Sequence, residues 1–234
     1  MDNEKLLEIL KSNSDESYAS FSTMLSNTSL KIIGVKIPKL KELAKIYKDE
    51  DFSNITKNEY LEVDIFLGFV NKYKYNVYKE RLLNLESLFM KESSWAVTDS
   101  VIAFNKKKDD ETNIYFFKKW ILSPYIFIKR MGYVLFIATL KDNKEAMNIL
   151  LNNSKETGIY YIDMALSWAL AVASINFENE IYEYLKTTND LFIKKQTIRK
   201  IKDSYRNTIE FKNKLDNLKG AKNEGIWIWN RVWL

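Results

Sequence analysis

At 234 residues the chain is long enough for one sizeable core, and with 46% apolar and 29% charged residues it is not composed like a disordered protein. It holds no cysteine and no histidine, which excludes disulfides, thiol nucleophiles, histidine acid–base catalysis and the usual zinc sites. The formal charge of +5 is a modest bias, and two prolines and six glycines are too little punctuation for an all-β chain.

The apolar spacing is helical almost throughout. Leu6, Leu7, Ile9 and Leu10 begin a first helix. This start is acidic and polar, unlike a signal peptide, and no apolar run approaches the ~20 residues of a membrane span, so a cytoplasmic protein is expected. Tyr18, Phe21, Met24 and Leu25 mark a second helix, and Pro38 stands in the first turn of a third that carries Leu40, Leu43 and Ala44. Further helices are predicted at 57–75, 77–90, 94–107, 111–121, 125–140, 143–153, 157–174, 178–187, 190–204 and 207–218. The gaps are short and polar, so the helices make antiparallel neighbours. The expected fold is all-α, an α-solenoid of degenerate HEAT-like repeats, with one domain over 1–219. Residues 220–234 form an aromatic-rich tail with three of the six tryptophans, and no role is assigned to it.

Three segments could carry chemistry. In Ser93-Ser94-Trp95-Ala96-Val97-Thr98-Asp99, a serine cap opens a helix on which Trp95 and Asp99, four residues apart, share a face. Such a pair fits a cleft that meets positive charge; taken alone, it more often marks a core tryptophan beside a capping or exposed Asp. Ser123-Pro124 opens a helix that places Lys129 and Arg130 among apolar neighbours. Arg130 is suited to a phosphate through its planar fork, or it snorkels from a buried helix. In the helix that carries Trp168, small residues at Ala165, Ser167, Ala169 and Ala171 allow close packing around that one large ring.

Residues 191–222 hold ten Lys or Arg, among them Lys194, Lys195, Arg199 and Lys202, against three acids. This stripe suits a polyanion whose affinity falls with salt, or it is a solvated helix face.

Taken together, Trp95-x-x-x-Asp99, then Trp120-Ile121-x-Ser123 leading to Lys129-Arg130, then Ala165-x-x-Trp168 resemble the AlkD-type DNA glycosylases in order and spacing. Gly34-Val35-x-x-Pro38 is similar to that family's Gly-[IV]-x-x-Pro start of its third helix, and the basic run from Lys194 to Lys202 resembles its C-terminal helix. The resemblance spans about residues 5 to 207. It implies an enzyme that hydrolyses the N-glycosidic bond of cationic N3- or N7-alkylated purines, 3-methyladenine and 7-methylguanine, in duplex DNA, without flipping the base. By position, Trp95 and Trp168 would pack against the deoxyribose and Asp99 would stabilise the oxocarbenium-like charge. Arg130 would hold the adjacent phosphate, with Lys129, Lys194, Lys195, Arg199 and Lys202 on the DNA. The lesion's own charge makes it a good leaving group, so no metal or cofactor is implied. A monomer on double-stranded DNA is expected.

Two departures favour a non-excising paralog of the same fold that binds DNA weakly or by structure. Residues 26–33 begin with cap and turn formers where active members insert a minor-groove helix, and Ala171 stands where they tend to carry an Arg. A third reading is a solenoid scaffold for a protein partner.

Overall fold

The computed structural model of the protein describes residues 1–92 and 94–218. Among them are thirteen α-helices: α1 (Asn3–Lys11), α2 (Glu16–Ser26), α3 (Ile37–Ile46), α4 (Leu61–Lys74), α5 (Tyr78–Phe89), α6 (Trp95–Asn105), α7 (Asp110–Trp120), α8 (Ile126–Phe136), α9 (Lys144–Asn152), α10 (Tyr160–Ala173), α11 (Glu178–Thr187), α12 (Leu191–Asp203) and α13 (Ile209–Lys214). A 3-10 turn, Leu215–Leu218, follows. The aromatic tail, 220–234, lies outside the described residues, as do Ser93 and Lys219. No helix among the described residues is long and apolar enough to cross a membrane.

Local chemistry sets many of these boundaries. Asp2, Asp15, Asp109, Asn143 and Thr208 each cap a helix by accepting the backbone N–H three residues on, which satisfies one of the amides that a helix start leaves over. Pro38 sits in the first turn of α3, where its missing N–H costs nothing.

The core sets the layering. Helices α4, α6, α8, α10 and α12 form one continuous row in which each packs on the next, and α3 extends it beyond α4. Helices α5, α7, α9 and α11 lie against this row from outside, α7 on α8 and both α9 and α11 on α10. The fold is therefore all-α, with helices stacked on their neighbours as in an α-solenoid. Close approach within the row depends on small side chains. A Cβ on Gly68 of α4 would fall 2.3 Å from a Val101 methyl of α6, and Ala165, Ser167, Ala169 and Ala171 are all buried on α10.

Several predicted ranges overshoot the helices, among them 94–107, 157–174 and 207–218, and in two further cases the contacts show why. The stretch from 57 is not helical until Leu61, because Asn58 takes a left-handed φ of 63° and its N–H is bound by Asp64 (3.0 and 3.2 Å). The helix predicted to run to 140 ends at Phe136, where Ala138 and Thr139 turn back on Leu135 and Phe136 through tighter bonds between residues three apart.

The segment between α2 and α3 is extended. Asn27 ends α2 in the left-handed conformation, and Lys31 pairs with Tyr60 in an isolated bridge. The buried carboxylate of Glu62 then accepts the N–H groups of Ile33 (2.9 Å), Gly34 (2.7 Å) and Val35 (3.4 Å). Asp15 donates its own N–H to Gly34 O at 3.0 Å. Residues 26–33 therefore hold no helix beyond the last residue of α2, in agreement with their turn-forming composition.

Asp64, two residues along α4 from this anchor, is pushed up to about 7, first by burial and then by the nearby Glu92 carboxylate, with Asn58 N–H opposing. The folded protein keeps that proton to about pH 7, whereas an ordinary Asp releases it near 3.8, so stability falls as pH rises between those values. Asp64→Asn, which keeps an oxygen for Asn58, is expected to flatten this fall and to raise Tm at pH 8 by several degrees. Melting curves at pH 5 and pH 8 check it. An unchanged pH dependence in the variant would count against the buried proton.

Candidate active site

The row α6–α8–α10–α12 carries the candidate residues on consecutive helices. Helix α6 starts at Trp95, behind Ser94. Ser94 occupies the cap position without capping through its side chain; instead its backbone N–H is held by Glu92 Oε1 at 2.7 Å. From there Trp95, Asp99, Ala103 and Lys106 follow one another along one side of α6 at helical spacing. Trp95 is half-buried, Asp99 6% exposed and Ala103 exposed, so this side opens outward around a sunken carboxylate.

Arg130 reaches that carboxylate from α8. Its Nε donates to Asp99 Oδ1 (2.8 Å), its Nη2 to Oδ2 (2.6 Å), and its Nη1 to the Tyr161 carbonyl at the start of α10 (2.7 Å). The two side chains are 9% and 8% exposed, and the guanidinium lies 5.9 Å from the Trp95 ring centroid. A fork-to-fork pair of this kind fixes orientation as well as charge. Burial makes each member costly to leave alone, although the pair itself is weak support for stability. Arg130, expected on a phosphate, is thus first the partner of Asp99, with only part of its five-donor fork left over.

The tryptophans differ in a way composition does not reveal. Trp120 is fully buried, whereas Trp95 and Trp168 are both part-exposed. On α10 the half-buried stripe is Tyr161, Met164, Trp168 and Val172, which puts Trp168 on the side of the helix whose first turn meets Arg130. The geometry thus brings Trp95, Asp99 and Arg130 into contact and sets Trp168 two turns along the adjacent helix.

The basic residues divide. Lys129 is half-buried, one residue and about 100° around α8 from Arg130. On α12, Lys194 and Arg199 are half-buried and Lys195 is exposed, while Lys202 turns away and pairs with Asp216 of the 3-10 turn. Lys200 lies within electrostatic reach of the pair: burial, and then repulsion from Arg130, push it down to about 8, while Asp99 pulls the other way. Lys106 is lowered too, by burial and then by Arg206, again against Asp99. Reading the basic residues as one C-terminal stripe missed that Lys106 and Lys200 are each within electrostatic reach of Asp99. The signal was present for Lys106, which lies two helical turns from Asp99. Among the described residues, no three acids are gathered to hold a metal ion.

The family model for the DNA alkylation repair enzymes matches residues 6–202. The chain belongs to that family. The match begins in α1 and ends one residue short of the end of α12, so it takes in every helix of the row and all of the residues just described except Arg206 and Asp216. A comparison with curated proteins gave no match. Membership in a DNA alkylation repair family makes DNA the substrate class, and it gives a basic, part-exposed helix row beside a sunken carboxylate a setting in which to be understood.

Proposed function

We propose that the protein is an alkylpurine DNA glycosylase that hydrolyses the N-glycosidic bond of cationic N3- and N7-alkylated purines in duplex DNA. The observation that carries this reading is the sunken Asp99 carboxylate, held in fixed orientation by Arg130 beside the part-exposed ring of Trp95. An alkylated purine leaves as a neutral base, so the positive charge passes to the sugar as the bond breaks. A preorganised carboxylate in a dry site favours that charge and orients the attacking water. The two indole faces add cation–π attraction. In this reading Lys129, Lys194, Lys195 and Arg199 lie along the DNA, while Arg130 is tied to Asp99 and Lys202 to Asp216. The chain acts as a monomeric domain over 1–219, in the cytoplasm and without a metal or cofactor.

The test is release of free 3-methyladenine and 7-methylguanine from methylated duplex DNA, measured against spontaneous loss. Release clearly above that background is expected. A second reading, a non-excising paralog, draws on the extended segment between α2 and α3, which offers no helix to the minor groove. Its signature is release at the spontaneous rate together with salt-dependent binding to intact or branched duplexes.

A further inference from the structure

Helices α6, α8, α10 and α12 hold their first turns side by side, and each begins with a large apolar residue: Trp95, Ile126, Tyr160 and Leu191. Helix starts favour small polar or acidic side chains, which serve the free amides there. Here Ile126 is instead 39% exposed, Tyr160 53% and Leu191 75%. Aromatic rings join these starts from helix to helix. Phe127 meets Tyr161 at 5.2 Å between centroids and Tyr160 meets Phe192 at 6.1 Å, while Tyr160 and Tyr161, 5.5 Å apart, connect the two contacts. One exposed leucine is ordinary. Apolar side chains at the same position of neighbouring helices make a contiguous stripe, which soluble proteins rarely leave open.

The described chain ends beside this stripe. Helix α13 and the 3-10 turn run parallel to α11. Thr208 Oγ1 donates to Glu178 Oε1 (3.1 Å) where both begin, Lys214 Nζ lies 4.1 Å from the Tyr182 ring centroid further along, and the 3-10 turn packs on α11. Leu218 is thus carried toward the end of α11 at Thr187, from which three residues lead to Leu191. Sixteen residues follow Leu218, and seven of the last nine are apolar, three of them tryptophan. We propose that residues 226–234 dock along the stripe, from Leu191 across Tyr160 to Ile126. Extended, nine residues cover about 30 Å and put Trp227, Trp229 and Trp233 on one face. At about 8–10 Å between neighbouring helices, the stripe from α12 to α8 takes about 16–20 Å of that length. The seven residues before it, 219–225, add a reach of about 23 Å. Docking removes apolar surface on both sides from water. A segment tethered this closely has an effective concentration of about millimolar, which favours the chain's own tail over a second molecule present at micromolar concentration. The docking does not depend on what Asp99 does.

The experiment is the fluorine NMR spectrum of the full-length chain labelled with 5-fluorotryptophan, with Trp227, Trp229 and Trp233 assigned from their Phe variants. A free peptide of residues 219–234 with the same label is the reference. In the wild type the three tail signals are expected to stand away from their peptide positions and to stay there on dilution. Tyr160→Ser combined with Leu191→Ser, both at exposed positions, is expected to return them to the peptide positions while the fully buried Trp120 does not move. Melting curves show that this variant is folded. Wild-type tail signals at the peptide positions overturn the docking. Signals that stand away but ignore the double substitution overturn it too, because the tail then rests on another surface. Signals that shift on dilution, with a dimer in sedimentation, make a second copy the occupant and likewise sink it. Base release is not read here, so loss of the glycosylase reading leaves the docked tail standing, and base release with tail signals at the peptide positions does the reverse.

Discussion

Asp99→Asn is expected to slow release of 3-methyladenine from methylated duplex DNA by about 10²- to 10³-fold, the range for losing one preorganised electrostatic contact. The effect has two parts that act in the same direction. The amide no longer offers negative charge to the developing oxocarbenium, and it leaves the Arg130 guanidinium uncompensated beside it. A neutral pair thus becomes a net positive site facing a positive transition state, within a nearly dry environment where charges are weakly screened. The same change also destabilises the fold, because breaking a buried pair from one side costs about 3–5 kcal/mol. Single-turnover rates with protein in excess, measured well below the variant's own Tm, separate the two. A companion variant, Asp99→Leu with Arg130→Met, removes both charges and is expected to regain stability but not base release. Activity that returned with stability in the double variant would reduce Asp99 to a structural role.

Gly34→Ala is expected to cost about 3 kcal/mol, from a strained backbone and an overpacked contact together. At this chain length that corresponds to a Tm roughly 6–12 °C lower. Gly34 has a φ of +95°, and a Cβ there would lie 2.5 Å from Asp15 O and 2.8 Å from Ala19 Cβ. The backbone cannot yield easily, since the Glu62 carboxylate holds the N–H groups on either side of it and Asp15 N–H binds its carbonyl. Gly158→Ala is the control. It shares a left-handed φ of +75° but would place its Cβ in open space, so only the backbone strain of about 1 kcal/mol applies. Equal losses of Tm in the two variants would mean that the contact with Asp15 is not what requires glycine at position 34.

The helices were legible because their apolar periodicity is local, and the polar gaps told where they stop. What shortened two of them was tertiary: Asp64 bonding back to Asn58, and the turn of residues 137–139 onto α8, neither of which leaves a periodic trace. Within the site, Trp95 and Asp99 could be placed together from spacing alone, because both ride on α6. The Arg130 partnership could not, since it depends on α6 and α8 lying side by side with Tyr161 of α10 closing the fork. Sequence position alone does not rank Trp120 against Trp95 and Trp168. The family pattern singled out the latter two, and their burial explains the difference, with Trp120 sealed in the core and the others at its edge. Lys200 was hidden among nine other basic residues, because a count of charge does not say which lysine has lost its water.

The row from α4 to α12 is joined link by link, each helix resting mainly on the one before and the one after it. Cohesion in such a chain is a sum over neighbouring interfaces, so the molecule can loosen from one end without melting as a whole. The proposed catalytic constellation of Trp95, Asp99, Arg130 and Trp168 draws on three consecutive links, α6, α8 and α10, and the next, α12, is held by its packing on α10. Fraying that begins at α12 removes Lys200 first, and continued through α10 it removes Trp168 and the Tyr161 carbonyl that steadies Arg130. Through all of this, α4 and α6 remain stacked. Under the proposed function, competence is therefore expected to be lost in steps, at a lower cost than global unfolding, with base release reporting the integrity of the C-terminal links sooner than total helix content does.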